Sequence, residues 1–492
     1  MSISTRTSDL SSSAASRNSD LLENKHSKYF LFPQRYIFCL LASLIILNAA
    51  SIQFTLEVIA LENFSSGKRL RTNDTCTITP QIRRRPRRRP KNESLLNYDW
   101  DLKTRYLIKD SFYWGTLVTS IPGGVLSDEY GGKYIVSLSV LFSAFFNLVA
   151  PAIIDLGHSV GLIIMIRVGL GFCRGVLDAG LMALIARWAP VYERATITSV
   201  IFGSRLLGEQ FSYVMHKAFE NFTWRPMFYF FASVHLVLGF FWHLLVYPSP
   251  KQNPFMTLNE KRYLEEDPDL SLVDGWKKIP WRRILKSKPV WGLCCLHFAT
   301  TWAWTVYRKT LHLYLPRVLK SEVVWESAWW TPFFLYYILA IFYGFVADWF
   351  VNGQHASVTA MRKVYALLGN FGPALCLIFV TFERCNHFTV MIFTTMALCL
   401  DAMHFASNMV NALDLTSNFV GIVTSITGAI EFLIFALSTQ LINNLFTTED
   451  SLSQWNFLLW FTCGVQVGGT TLFLLLGDAE RQAWNYVIKG VN

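Results

Sequence analysis

Apolar residues run through this chain in blocks of about twenty, parted by short polar stretches and by one long one. Six blocks fall at roughly 36–60, 107–127, 134–155, 159–181, 195–217 and 227–247. Six more fall at roughly 290–315, 328–349, 362–382, 389–409, 418–443 and 456–477. About twenty apolar residues in a helix span the ~30 Å of hydrocarbon in a bilayer. The pattern therefore predicts an all-α membrane protein of 12 transmembrane helices in two sets of six. The N-terminal bundle covers 35–247 and the C-terminal bundle 290–478, joined by a polar linker at 248–289. A Ser-rich tail at 1–34 is expected to be disordered, and a short tail follows at 479–492. The first block comes after that polar tail and is too long for the core of a cleavable signal peptide.

Composition agrees with the pattern. Of 492 residues, 52% are hydrophobic and 16% charged, against about a quarter charged in a soluble domain, so the chain cannot cover a water-facing surface of this size. The formal charge of +10 would by itself suggest a nucleic-acid partner. The basic residues, however, sit mainly between the apolar blocks, where membrane topology accounts for them, and no nucleic acid is expected. The linker alone holds Lys251, Lys261, Arg262, Lys277, Lys278, Arg282, Arg283, Lys286 and Lys288, which places it, and with it both tails, in the cytosol. That topology puts the loop 61–106 outside, where it carries glycosylation sequons at Asn63, Asn73 and Asn92, and Asn221 supplies a fourth on the same side. The runs Arg83–Arg85 and Arg87–Arg89 oppose it, and are read as a solvated basic loop, a processing site or an anion-attracting vestibule. Nine cysteines show no metal-binding spacing, and neither metal nor cofactor is expected. Cys76 and Cys385 fall in outer loops and could pair.

Two loops repeat a motif. Gly124-x-x-x-Asp128-Glu129-x-Gly131-Gly132-Lys133 follows the second block, and Gly344-x-x-x-Asp348 follows the eighth, the offset expected of two repeated halves. The first resembles the loop motif of the major facilitator superfamily, with Glu129 where that family usually has Arg. Further stretches resemble its anion:cation symporters, the subfamily of sialin, the vesicular glutamate transporters and the sodium–phosphate transporters. They are Ser111–Gly115 running into Ile121–Gly124, Trp188-Ala189-Pro190-x-x-Glu193-Arg194, Ile279–Trp281 with Ser287-x-Pro289-Val290-Trp291, and Asn411-x-Leu413-Asp414 with Gly421. The resemblance spans roughly 105–425. It implies alternating access around a central cavity, with Gly124, Asp128, Gly131, Lys133, Asp348, Glu193 and Arg194 serving the loops that gate it.

Ionisable residues at membrane depth cost several kcal/mol, so each is a candidate for function. Arg167, Arg174 and Asp178 on helix 4 stand at i, i+7 and i+11, within about 40° of one another at 100° per residue. The resemblance assigns Arg167 to the anionic substrate. It also implies a helix 4 glutamate, the presumed proton carrier, where this chain has Arg174, and a helix 1 basic residue where this chain has Gln53. A charge swap follows, in which Glu57 and Asp178 flank Arg174. Arg205 and Glu209 have the i, i+4 spacing of an intrahelical ion pair, read either as structural or as part of the site. Lys109 stands at the outer mouth of helix 2, binding anion or snorkelling to headgroups. Arg308 and Lys309 are adjacent and cannot both line one cavity. Asp401 and His404 share a face and form either a proton relay or an ordinary packed pair; Glu431 has no assigned role.

The reading is a secondary transporter, expected as a monomer, that moves a small anion with H⁺ or Na⁺ across a plasma or endolysosomal membrane. Arg167, Arg174, Arg205, Lys109 and Arg308 are the substrate candidates, and Asp178, Glu57 and Glu209 the coupling candidates. A receptor-like or uncoupled protein that kept the fold is the alternative. No HExxH, GxSxG or phosphate-binding glycine loop points to an enzyme.

Overall fold

The computed structural model describes residues 33–62, 102–156, 159–219, 224–265, 279–311, 314–315, 331–383, 386–445 and 452–486. The four sequons, the Arg83–Arg89 runs, Cys76 and Cys385 lie outside them. Among the described residues the chain is helical, without strands. Six long helices come first: α1 (Gln34–Glu62), α2 (Leu102–Tyr130), α3 (Gly132–Asp155), α4 (Val160–Trp188), α5 (Arg194–Ala218) and α6 (Arg225–Leu245). The second six are α7 (Lys288–Lys309), α8 (Thr331–Asn352), α9 (Val358–Phe382), α10 (His387–Asp401), α11 (Val420–Leu445) and α12 (Leu452–Leu476). Short helices at Leu258–Glu265 and Trp281–Ile284 lie in the linker.

Among the described residues, nine of these spans are long and apolar enough to cross a bilayer by length and composition, α10 together with its continuation to Leu415. The other three, α2, α5 and α7, carry Lys109–Asp110, Arg205 with Glu209, and Arg308–Lys309. Most of that polarity is turned inward: Asp110 is buried and Arg205, Glu209 and Arg308 are mostly covered by other helices, while Lys109 stays partly exposed.

The contacts repeat. In the first half α1 packs on α5 and α6, α2 on α4, and α3 on α4 and α6; in the second α7 packs on α11 and α12, α8 on α10, and α9 on α10 and α12. The halves meet along α2–α11 and α5–α8, which exchange under the same correspondence. Small residues set the closest approaches. A Cβ on Gly171 of α4 would stand 2.1 Å from the Phe112 carbonyl oxygen of α2, so only glycine lets these backbones touch.

Helix α10 is broken. It passes through a tight turn at Ala402–Ala406, leaves helical geometry at Ser407 and resumes as Asn408–Leu415. A break at membrane depth needs partners for the freed backbone groups. Arg362 of α9 supplies one, its Nη1 donating to the Ala406 carbonyl (3.0 Å), and the Ser407 hydroxyl at the break ties back by donating to the Arg362 carbonyl (2.9 Å).

Candidate functional site

At the end of the bundle nearest the linker, the two repeated aspartates close the interface between the halves. Asp128, at the end of α2, accepts the backbone N–H groups of Gly421 (2.8 Å) and Ile422 (2.9 Å) at the start of α11. Asp348, at the end of α8, accepts those of Ala195 (3.1 Å) and Thr196 (2.7 Å) at the start of α5, and the Thr196 hydroxyl (2.7 Å). Each carboxylate meets the unpaired donors and positive dipole end of a helix from the opposite half. Gly124 and Gly344, four residues earlier in each case, permit the approach: a Cβ on Gly124 would lie 2.4 Å from the Gly421 carbonyl oxygen, and one on Gly344 2.9 Å from that of Ala195.

Asp414, at the end of the broken helix, joins the same closure. It receives Arg362 Nε at 2.7 Å and lies 3.5 Å from Arg194 Nη1 of the first half. Glu193 instead faces the linker, with Arg35 Nε at 2.8 Å and the Tyr263 hydroxyl at 3.3 Å, while Glu260 accepts the first two N–H groups of α1. Burial and the Glu193 carboxylate push the Tyr263 phenol up to about 12. Of the remaining motif residues, Gly131 takes the positive φ of 89° that ends α2, and the Lys133 ammonium lies over the Tyr247 ring at 5.0 Å.

Deeper in, charges of alternating sign link α4, α5 and α11. Arg174 Nη2 stands 3.2 Å from Asp178 Oδ1, Arg205 Nη2 donates to Asp178 Oδ2 at 2.8 Å, and Arg205 Nη1 donates to Glu431 Oε1 at 3.3 Å. Arg205 and Glu431 both lie eleven residues into helices that start at the linker end, about 16 Å along at 1.5 Å per residue, which is mid-depth. Arg174 is buried, yet its Nη1 and Nη2 find no hydrogen-bond partner among the described residues; its contact with Asp178 is close but not aligned. Arg205 Nε is likewise unmatched. Both guanidinium groups meet at Asp178.

Two more clusters lie farther from the linker. Arg308 Nη2 donates to Glu209 Oε1 at 2.6 Å, bridging α7 and α5 and hence the two halves, with its guanidinium over the Phe54 ring at 4.9 Å. Arg167 spends its donors on protein: Nη1 to the Gln53 carbonyl (2.7 Å), Nη2 to Glu57 Oε1 (3.1 Å) and Nε to the Ile108 carbonyl (3.4 Å). Lys109 Nζ adds a contact with Glu57 Oε2 at 3.6 Å.

Two expectations are corrected. Arg205 and Glu209 form no intrahelical pair; each reaches the second half, to Glu431 and Arg308 respectively. The short reach of an i, i+4 pair lost to partners on facing helices that leave neither charge exposed. Glu57 does not flank Arg174 but pairs with Arg167 and Lys109, because it sits a full helix length from the linker end while Arg174 lies deeper. Arg308 and Lys309 do diverge: Lys309 lies in the field of Lys109 and Asp110, Arg308 on Glu209. Sequence reasoning missed Glu431 as the partner of Arg205 and Asp414 as the acceptor of two arginines. The signal for Glu431 was present, an acid in the middle of an apolar helix, but its partner is 226 residues away.

Residues 106–439 match the model of the Major Facilitator Superfamily. The chain is similar to sialin of Homo sapiens, 26% identical over 453 residues that cover 92% of this chain and 90% of that one. It is 27% identical to the sodium-dependent phosphate transport protein 1 of Mus musculus over 80% of this chain and 84% of that one. Vesicular glutamate transporter 2 of Mus musculus is 25% identical over 79% of this chain and 67% of that one. Among solved structures, a proton:xylose symporter of the same superfamily superposes with a TM-score of 0.68 at 14% identity, covering 91% of this chain and 96% of that one.

Proposed function

Because the chain belongs to the Major Facilitator Superfamily and is a multi-pass membrane transporter, we propose that it carries a small anion by alternating access, with Arg174 as the anion's principal contact. The single observation behind this reading is the buried Arg174 guanidinium with two unspent nitrogen donors beside Arg205 Nε. A planar fork of that kind matches a carboxylate or phosphate. The charge balance agrees. Lys109, Arg167, Arg174, Arg205 and Arg308 face Glu57, Asp178, Glu209 and Glu431, five cations against four carboxylates, so one negative charge completes the set. Phosphate transport protein 1 and the glutamate transporter are named for anions, which favours the same substrate class.

Anion binding has a mechanical consequence. An anion at Arg174 competes with Asp178, and Asp178 also holds Arg205, which reaches Glu431 in the second half. Loading the site therefore loosens one of the bridges between halves. The Asp128 and Asp348 latches hold the linker end shut while that bridge is in place. By the basic linker, the linker end faces the cytosol, and the sequons face the other side.

The test is uptake into liposomes of labelled phosphate, glutamate, urate and sialic acid by the purified protein and by Arg174→Gln. The parent accumulates at least one of these anions, and Arg174→Gln loses at least tenfold of that uptake while unfolding at the parent temperature. Equal uptake by the variant removes Arg174 from the site. Binding of an anion without uptake would favour the receptor-like reading, for which the arginine in place of the family's helix 4 glutamate is the supporting observation.

A further inference from the structure

One buried carboxylate takes no part in the network above. Asp401, on α10 just before its break, is buried, and its Oδ1 has no hydrogen-bond partner among the described residues. Glu57, Asp178, Glu209, Glu431 and Asp414 each lie within 4 Å of an arginine. Asp401 has only His404, whose Nδ1 is 3.7 Å from Oδ2. Between them stands the Tyr336 hydroxyl of α8, 3.0 Å from Asp401 Oδ2 and 2.9 Å from His404 Nδ1. His404 keeps 20% of its side chain exposed, against 2% for Asp401. The three groups thus form a tight triangle of a partly accessible imidazole, a hydroxyl within hydrogen-bond distance of both other members, and a sealed carboxylate, with His404 Nδ1 also 3.0 Å from the Asp401 backbone carbonyl.

We propose that Asp401, reached through His404 and Tyr336, is the proton-binding group that couples transport in this protein. The step balances. Imidazolium gives its Nδ1 proton to Tyr336 Oη, and the tyrosine passes its own proton to Asp401 Oδ2. One proton has moved, the phenol is restored, and His404 is left neutral to take the next proton from the cavity. The titratable or charged groups within electrostatic reach of these three are Tyr307 and His297 of α7, Arg205 of α5 and Cys399 of α10 itself, with Cys376 of α9 and Cys463 of α12 behind Tyr307. Arg205 is the one that connects it to the anion site, since it feels His404 and holds Asp178 and Glu431. With Asp401 ionised, those five cations meet five carboxylates and the set has no net charge to offer an anion. With Asp401 protonated the excess of one positive charge returns. Proton and anion therefore bind together, which is the sign required for symport.

The inference rests on the proposed anion transport only for what the proton is coupled to, so the test has two arms. In the first, infrared difference spectra of the protein in lipid are recorded on acidification. The parent gains a carboxylic-acid carbonyl band that Asp401→Asn lacks and Asp178→Asn keeps. A band unchanged in Asp401→Asn overturns the proposal. In the second arm, uptake of phosphate, glutamate, urate and sialic acid is driven by a proton gradient. Asp401→Asn loses stimulation by the gradient yet retains counterflow exchange, and Tyr336→Phe, which keeps the ring and removes the relay, lowers driven uptake on the order of 10²-fold. Gradient-driven uptake by Asp401→Asn equal to the parent also overturns it. A band assigned to Asp401 in a protein that moves none of the four anions supports the proton site and refutes the anion reading instead.

Discussion

Alanine at Gly124 should spring the linker-end closure. A Cβ there would lie 1.9 Å from Ser425 Oγ and 2.4 Å from the Gly421 carbonyl oxygen. The serine can rotate away, but the carbonyl belongs to the backbone of α11. Reaching an ordinary contact of 3.4 Å takes about 1 Å of separation between α2 and α11. The Asp128 bonds to Gly421 and Ile422, now 2.8 and 2.9 Å, would stretch beyond hydrogen-bond range. Overpacking of this kind costs roughly 1–3 kcal/mol. The cost falls on the closed arrangement alone, so the equilibrium shifts toward the open one by about 5–150-fold. The assay is labelling of a single cysteine at Ser199, which is buried at the α5–α8 contact, by a membrane-impermeant thiol reagent in a cysteine-free background. Gly124→Ala should label at least severalfold faster than the parent. Gly464→Ala, where a Cβ meets nothing within 4 Å, should label at the parent rate. Equal labelling of both variants would refute the argument that α2 and α11 are held by backbone contact at Gly124.

Other consequences can be checked as directly. Asp128→Asn and Asp348→Asn should each weaken closure by about 1–2 kcal/mol, and to a similar extent, because each aspartate caps a helix of the opposite half; the same labelling reports it. Arg308→Met should destabilise the protein by roughly 3–5 kcal/mol in a detergent unfolding assay by stranding Glu209, and Arg308→Met with Glu209→Leu should recover most of the loss. If the double variant were as unstable as the single one, the cost would lie in packing on Phe54 rather than in the stranded charge. Changing Asn63, Asn73, Asn92 or Asn221 to Gln should each remove one glycosidase-sensitive step in gel mobility; a sequon that carries no glycan in the parent would put the proposed orientation of its loop in doubt.

The lipid solvent, the all-helical class and the internal repeat could be read from the sequence because they follow from block length, charge and a repeated motif, all local or additive properties. Lipid demands about twenty apolar residues per crossing whatever the neighbours are. The aspartates that bond across the two halves were legible for the same reason, since Gly124–Asp128 and Gly344–Asp348 repeat as short motifs. The partners of the charges were not. Helical periodicity gave the face of Arg174 and Asp178 correctly, and one intrahelical contact between them, because both lie on one helix. It failed for Arg205, Glu209 and Glu57, whose partners lie on other helices. An ion pair at membrane depth is decided by which side chains meet at the same height on facing helices. Height depends on helix register, tilt and the order of packing, and these are properties of the assembled bundle. The sequence therefore determined that charges would be buried. Only the tertiary structure decided that Arg167 is occupied, that Arg174 keeps donors to spare, and that Asp401 stands apart with a histidine and a tyrosine.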